Sequence, residues 1–541
     1  MPKPSSSPNT SQTTDITTLD AWKNLSAHAK KMHGKHLKTI FVKDNERFTR
    51  LSVRLPSILA DFSKNRVTEE TISLLTTLAD ARNLGAQISA MFSGAKINNT
   101  EDRAVLHTAL RAPENARVTV DGQDVILDVH TALKRMEKCA DDIRSGAWRG
   151  HTGKEITDIV NIGIGGSVMG PQLATQALAG YAHMRIRTHY ISNVEASEMH
   201  RLLKDLSPDT TLFIIASKSF TTVETMQNAT IARDKLVRHF GGDATAVSKH
   251  FVALAANTDA VKAFGIPSKN MFPLWGWVGG RYSVWSAIGL STMISIGPKH
   301  FREFLAGAHE MDMHFKTAPL NKNIPALMGL IGLWYRNFLD FPAYTVVPYH
   351  SGLARLPAWL QQADMESNGK HITSEGTPVT VATGPCVFGE PGTDSQHTYF
   401  QWLHQGTDIV PVDFIAAIKT PYGNKQQQSM LLANCLAQSE ALMNGQDNTQ
   451  EPYRHFEGNR PSTTILLDEL TPHNLGMLLA AYEHRVFVQG AIWGINSFDQ
   501  FGVELGKALA KTIQTELTDK INGMHDASTS GLIHHITNTR G

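Results

Sequence analysis

The sequence predicts an α/β protein built from two doubly wound, mostly parallel sheets, with helical extensions at its N-terminal and C-terminal ends. Three observations lead there. From Ile156 the runs "ITDIVNIGIGG", "RTHYISNV", "TTLFIIASKSF" and "HFVALAAN" are short and apolar, and each passes through a polar or turn-like stretch into a helical one. A second set, "AYTVVPYH", "TPVTVATGP", "DIVPVDFIAAIK" and "PSTTILLDEL", repeats that alternation without a residue-level repeat. At 541 residues, the chain also exceeds what a single core supports.

The elements follow in chain order. Residues 1–18, "MPKPSSSPNTSQTTDITT", are rich in Ser, Thr and Pro and are expected to form a mobile arm. Residues 19–133 carry amphipathic stretches such as "EETISLLTTLADARNLGAQISAMFSG" and read as a helical lead-in packed on the core. The first α/β domain is expected over 134–295 and the second over 296–510. A helix from about Gly502 to Leu517 runs into a polar C-terminal extension, 511–541.

Composition narrows the function. Hydrophobic residues make up 41% of the chain and charged residues 19%, which is ordinary for a folded protein. Lys plus Arg total 51 against 50 for Asp plus Glu, so no field draws in nucleic acid or an anionic membrane. No apolar run reaches the roughly 18 residues of a membrane span, and the first eighteen residues lack a signal-type apolar core. Cys139, Cys386 and Cys435 are far apart and odd in number, so free thiols in a reducing, cytoplasmic setting are expected.

The stretch "NIGIGGSVMGP", Asn161 to Pro171, poses the chemical question. Counting G-x-G-x-x-G from Gly163 lands on Val168, which excludes the dinucleotide fingerprint. Gly165 and Gly170 have P-loop spacing, but Pro171 and Gln172 stand where Lys and a hydroxyl belong. The sequence Gly165-Gly166-Ser167-Val168-Met169 lacks the last glycine of a nucleophile elbow. What remains is a strand, a tight turn, a serine and a helix whose first turn accommodates Pro171, with N–H groups and a hydroxyl facing an anion.

The next strand ends in a similar way, because "IIASKSFTTVET" places Ser217, Lys218, Ser219, Thr221 and Thr222 before a helical segment. Two such loops converge at the carboxyl edge of a parallel sheet. A phosphate monoester suits that hydroxyl-rich cradle better than a nucleotide. A metal was sought in "HEMDMH", but His309 and His314 are five apart and separated by about 140° on a helix, unlike the i, i+4 pair of a metal site.

Four more blocks complete a pattern: "GGRYSVWSAIGLS" (279–291), "QQADMESNGK" (361–370), "GEPGTDSQHTYFQWLHQG" (389–406) and "FDQFGVELGKALA" (498–510). With the two loops above, and in this order, they closely resemble the glucose-6-phosphate isomerase (phosphoglucose isomerase) family. The resemblance implies two domains of sugar-isomerase type, a homodimer whose active sites are shared between subunits, no cofactor and no metal. Its substrate would be a hexose 6-phosphate, with interconversion of glucose 6-phosphate and fructose 6-phosphate.

By that resemblance Glu366 is the base that moves a proton between C1 and C2, a task for a carboxylate of tunable pKa. Arg281 matches the fixed positive charge beside the enediol intermediate. His397 matches the ring-opening residue, reaching the site from the other subunit, and Lys507 the cation beside the ring oxygen. Gln362 and Gln500 match contacts to sugar hydroxyls. Gly166, Ser167, Ser217, Lys218, Ser219, Thr221 and Thr222 match contacts to the phosphate and substrate, with Glu224 close behind them. The chain departs from the family pattern at Val168, Met169, Ser219, Gly276 and Phe501, which bear on affinity and packing and leave the acid, base and charge residues intact. A non-catalytic sugar-phosphate-binding regulator of the same fold is the alternative. Retention of Glu366, Arg281, His397 and Lys507 together speaks against it.

Overall fold

Two parallel sheets carry the architecture, and continuous buried apolar runs account for both. The computed structural model describes residues 15–519, 521 and 523–540. They form two compact units, one reaching Ser497 and one beginning at Phe498. Most of the expected N-terminal arm, residues 1–14, lies outside the described residues. Asp15–Thr18, however, are ordered: the Asp15 carboxylate caps a single turn, Ile16–Thr18, and Ile16 is buried.

The segment read as a helical lead-in does contain the helices Asp20–Met32, Glu69–Ala81 and Leu84–Ser93. It also contains strands β1 (Ser52–Arg54) and β2 (Ile58–Asp61), an antiparallel pair absent from the sequence reading. These strands are too short for an alternating pattern to register. A two-residue hairpin, β3 (Thr119–Val120) with β4 (Gln123–Asp124), precedes the long helix Val125–Arg144.

The first sheet consists of β5 (Asp158–Gly163), β6 (Arg187–Ile191), β7 (Thr211–Ala216), β8 (Phe251–Ala255) and β9 (Met271–Pro273). All pairs are parallel, in the order β6-β5-β7-β8-β9. Every residue of β5, β7 and β8 is buried, as expected for strands covered by helices on both faces. The chain moves from β5 to β6 and then returns to the opposite side of β5 to place β7. That reversal opens a crevice at the carboxyl ends of β5 and β7, where doubly wound sheets bind ligands.

The second sheet has the order β1-β2-β13-β12-β10-β11, with β10 (Ala343–Tyr349), β11 (Cys386–Phe388), β12 (Val412–Lys419) and β13 (Ser462–Glu469) mutually parallel. The early hairpin joins its edge antiparallel through β2 and β13. The run Thr377–Pro385, expected as a strand, is instead a loop, and the strand begins just after it. Pro378 and Pro385 lack N–H donors, and the carbonyls of Ala382 and Thr383 accept from Asn337 Nδ2 (2.7 Å) and Arg336 Nε (2.8 Å).

A helix from Pro472 to Trp493 forms the core of the larger unit and is buried along almost its whole length. It lies against the helices Pro298–Thr317 and Ile324–Phe338. Reciprocal glycines set the closest approach. A Cβ on Gly307 would sit 1.8 Å from the His473 carbonyl oxygen, and one on Gly476 would sit 2.1 Å from that of Phe304. Beyond Ser497 lies the helix Glu504–Asp519, close to the predicted tail. A second helix, Ala527–Arg540, occupies the segment read as a polar end. Among the described residues no helix is long and apolar enough to cross a membrane. The three cysteines are free thiols, and burial pushes Cys139 and Cys435 up to about 12.

Charge is also buried here. Arg111 holds Asp312 in a two-pronged contact (2.6 and 2.8 Å) and reaches Glu483 at 2.6 Å, while Asp312 accepts from His484 Nε2 at 2.6 Å. Burial works against the Asp312 charge, but Arg111 and His484 outweigh it and hold the carboxyl at about 2, below its ordinary 3.8. A depressed folded-state pKa confers stability that is complete above the unfolded value and is lost as pH falls through the folded one. The melting temperature is therefore expected to fall between pH 4 and pH 2. In a titration monitored by circular dichroism, Asp312→Asn should flatten that part of the profile while lowering stability at neutral pH.

Candidate active site

The glycine loop is shaped by backbone rather than by side chains. Gly165 adopts φ 57° and ψ −127°, open in practice only to glycine, and turns the chain sharply after β5. The helix Gly166–Ala177 begins at once. Pro171 therefore sits in its second turn, not the first as the sequence reading had it. Pro171 cannot donate to the Ser167 carbonyl, and Asn161 Nδ2 takes that place at 3.1 Å.

Gly166 is needed for close approach. A Cβ there would stand 2.0 Å from the carbonyl oxygen of Gly280 and 2.7 Å from the amide nitrogen of Arg281. The loop after β5 is thus pressed against the segment carrying Arg281. Its neighbour Gly165 faces Gln362, whose Nε2 would be 3.0 Å from a Cβ on that glycine.

Arg281 is 2% exposed and uses its whole guanidinium. Nη1 donates to Glu366 Oε1 at 2.7 Å, Nε to Ser367 Oγ at 2.6 Å and Nη2 to the Ser497 carbonyl at 2.6 Å. Tyr282 Oη and Ser367 Oγ are 2.8 Å apart. Glu366 keeps 24% of its side chain exposed, so it is fixed from one side and open on the other. It closes the widened helical turn Gln361–Glu366, which places Gln362 Nε2 3.4 Å from Glu366 Oε2. Gln362 Oε1 is buried without a hydrogen-bond partner, an acceptor positioned for a hydroxyl donor.

The hydroxyl-rich loop after β7 bonds to itself. Ser217 Oγ lies 3.1 Å from Thr222 Oγ1, and Thr221 Oγ1 donates to Ser219 Oγ at 2.7 Å. Lys218 Nζ donates to the Gly276 carbonyl at 3.4 Å, and desolvation, followed by the Arg103 charge, lowers its pKa. Thr222 stands at the start of the helix Val223–His239 without capping it through its side chain, and Glu224 lies in the first turn. Gly276 has open space where a side chain would go, and Val168 is buried in the core.

The sequence-predicted residues do not all gather in one place. Arg281, Glu366, Gln362 and the glycine loop are in mutual reach, and the β7 loop stands at the neighbouring strand end. His397 ends the short turn Asp394–His397 after β11; its side chain is exposed, with no hydrogen bond among the described residues. Gln500 and the exposed Lys507 belong to the unit that begins at Phe498. In "HEMDMH", His314 Nε2 accepts from the Ile324 amide at 3.0 Å, a helix-capping role. Sequence reasoning missed Ser367 and Ser497. Ser367 sits beside Glu366 in a quoted block without a charge to single it out, and Ser497 acts through its backbone.

Comparison with known proteins is decisive at this point. The sequence profile described as "Phosphoglucose isomerase" matches residues 61–533. The chain belongs to the phosphoglucose isomerase family. It is similar to the glucose-6-phosphate isomerase of Deinococcus deserti, 51% identical over 97% of this chain and 99% of that one. The enzyme of the same name from Methylococcus capsulatus is 49% identical over 97% and 99%. Among solved structures, a glucose-6-phosphate isomerase from Chlamydia trachomatis superimposes with a TM-score of 0.86 at 32% identity, covering 98% of this chain and all of that one. The likeness extends over the whole phosphoglucose isomerase fold and is not confined to one domain.

The Gly166 geometry yields a direct test. Gly166→Ala must separate the glycine loop from the Gly280–Arg281 backbone, because neither contact atom belongs to a flexible side chain. A loss of about 1–3 kcal/mol in denaturant titrations is expected. The variant's isomerase turnover should fall further than that loss of stability explains, since the displaced segment carries Arg281.

Proposed function

We propose that this chain is a glucose-6-phosphate isomerase, interconverting D-glucose 6-phosphate and D-fructose 6-phosphate through ring opening and a cis-enediol intermediate. The observation that carries the reading is the 2.7 Å contact between the buried Arg281 guanidinium and the part-exposed Glu366 carboxylate, set against the glycine loop. A carboxylate held closely at Oε1, only loosely by Gln362 at Oε2 and still part-exposed can take a proton from carbon and return it to the adjacent carbon.

In the forward direction the opened aldose loses its C2 proton to Glu366, and the C2–H electron pair becomes the C1–C2 double bond of the enediol. As the enediol forms, the C1 carbonyl oxygen takes up a proton. Glu366 then returns its proton to C1, where the C1–C2 double-bond pair binds it. The C2 hydroxyl releases a proton that balances the one gained at O1, leaving a C1 hydroxyl and the C2 ketose carbonyl. Negative charge develops on the oxygens during transfer, and Arg281 is already ordered to meet it. Its hydrogen bonds to Glu366, Ser367 and Ser497 mean that little reorganisation is needed when that charge appears. Gln362 Oε1 supplies an acceptor for a sugar hydroxyl. The hydroxyls of Ser217, Ser219, Thr221 and Thr222, with Lys218 and the amides near Gly166 and Ser167, receive the phosphate at the β5/β7 crevice.

His397 and Lys507 are assigned to ring opening, and Gln500 to a sugar hydroxyl. The exposed His397, free of hydrogen bonds to its own chain's described residues, supports a role in the partner's site of a homodimer. The site is assigned no cofactor and no metal, and the enzyme is placed in the cytoplasm.

Turnover of fructose 6-phosphate with chelator present, coupled to a glucose-6-phosphate dehydrogenase, tests the reading. Native protein should turn over steadily. Glu366→Gln should lower kcat by about 10²- to 10⁴-fold while leaving competitive inhibition by inorganic phosphate nearly unchanged. Binding without turnover in the native protein would transfer the chain to the sugar-phosphate regulators. Subunit mixing tests the shared site. Co-refolded Glu366→Gln and His397→Ala subunits should recover about a quarter of native activity if His397 serves the partner, because half the dimers then hold one intact site. No recovery would place His397 in its own subunit's site.

A further inference from the structure

Glu366 projects from a turn that is unusual in itself. Residues Gln361–Glu366 are wound as a π-helix directly after the helix Leu356–Leu360, a widening found mostly at functional sites. Within it Gln362 and Glu366 meet each other and face Gly165 and Arg281. Asp364, between them, is fully buried and makes its contacts elsewhere. One of its oxygens accepts from Arg485 Nη1 at 2.8 Å and from Tyr344 Oη at 3.0 Å.

Those partners belong to buried elements of the larger unit. Tyr344 lies on β10, and Arg485 on the buried helix Pro472–Trp493, with its guanidinium 3.9 Å from the centre of the Tyr344 ring. Arg485 and Tyr344 are also hydrogen-bonded to each other. A second carboxylate, Asp413 on β12, bonds to Tyr482 Oη at 3.0 Å from the same helix. The chain beyond Glu366 is pinned as well: Asn368 Nδ2 donates to the Val486 carbonyl at 3.1 Å, and Ser497 Oγ to Asn368 Oδ1 at 2.7 Å.

We propose that Asp364 is a positioning residue, which through its contacts with Arg485 and Tyr344 holds the Gln361–Glu366 turn in the one winding that aims the Glu366 carboxylate at the substrate carbons. The inference rests on the isomerase reading above, since it assigns Asp364 an effect on that reaction. A buried ion pair of this kind adds little net stability and instead selects one geometry. The hydroxyl-rich loop after β7 stands on the first sheet, and among the described residues Asp364 bonds to Tyr344 and Arg485 on other elements, so binding of the phosphate end should depend little on it.

The test is a double-mutant cycle in the full-length protein, read by steady-state kinetics and by competitive inhibition with inorganic phosphate. Asp364→Asn should lower kcat by about 10- to 100-fold, the scale of a small misplacement of a reacting group, with the phosphate inhibition constant changed less than twofold. Placed on Glu366→Gln, the same substitution should cost almost nothing more, because its effect passes through the Glu366 carboxylate. Tyr344→Phe keeps the ring beneath Arg485 and removes only the hydroxyl, with its bond to Asp364 and the one it accepts from Arg485, while leaving the Arg485–Asp364 pair in place, so it provides a milder variant should Asp364→Asn fail to fold. It should lower kcat about 2- to 10-fold, the scale of lost neutral hydrogen bonding. An unchanged kcat in folded variants, parallel changes in kcat and phosphate inhibition, or a full additional loss in the Glu366→Gln background would each overturn the assignment. Absence of turnover in the native protein would instead overturn the isomerase reading.

Discussion

The Arg281 guanidinium is tied to two stretches of chain far from it and from each other in sequence, Glu366–Ser367 and Ser497, and the geometry of the candidate site depends on that single buried group. One nitrogen meets Glu366, another the Ser367 hydroxyl beside it, and a third the carbonyl of Ser497. An isolated cation this deeply buried would be expensive to desolvate. Here every direction of the planar fork ends on an oxygen, so the cost of burial is offset by contacts that also fix where the carboxylate points. The closeness of Gly166 to Gly280 adds a steric limit, because the glycine loop cannot move away without opening that packing.

The two sheets show how one rule of chain topology produces two similar halves. In the first, β6 and β7 flank β5; in the second, β11 and β12 flank β10. Each chain reversal leaves the carboxyl ends of two neighbouring strands without a covering connection. In the first half that gap receives the glycine loop and the hydroxyl-rich loop. In the second half the connection from β10 to β11 contains the turn that bears Glu366. The proposed anion cradle thus stands on one sheet and the proposed base on the other.

Between the sheets' supporting helices, buried charge takes the place of part of an apolar core. Arg111 joins Asp312 and Glu483, and Arg485 joins Asp364, so the helix Pro472–Trp493 carries two separate polar anchors along one buried element. Burial presses Glu483 up to about 7, while Asp312, with two donors, stays near 2. Two carboxyls that share one guanidinium therefore hold their protons very differently. Burial raises Glu483 even though it accepts from Arg111 and Trp285, and the neighbouring Asp312 charge pushes it the same way, whereas Asp312 is gripped twice by Arg111 and once by His484.

Much of this was legible from the residues alone. The apolar runs of β5, β7 and β8 announced buried parallel strands, since no half-exposed strand can be apolar at every position. The failed motif counts around Gly163, Gly165 and Gly170 excluded nucleotides, because those sites require fixed spacings. The ordered blocks around Arg281, Glu366, His397 and Lys507 pointed to the family. The hairpin at 52–61, the loop at Thr377–Pro385 and the second-turn position of Pro171 were not legible, because the strands are too short to show alternation, the loop's carbonyls are taken by Arg336 and Asn337, and the place of Pro171 is set by where the turn at Gly165 starts the helix. The same holds for Asp364, whose neighbours in the chain are unremarkable and whose partners lie 20 and 121 residues away. By itself the sequence determined the architecture, the family and the residue types available for proton transfer, all of which rest on local pattern. Only the tertiary structure decided that the Glu366 carboxylate meets the Arg281 guanidinium and that Asp364 is turned toward the opposite side, because such contacts arise when distant segments pack together.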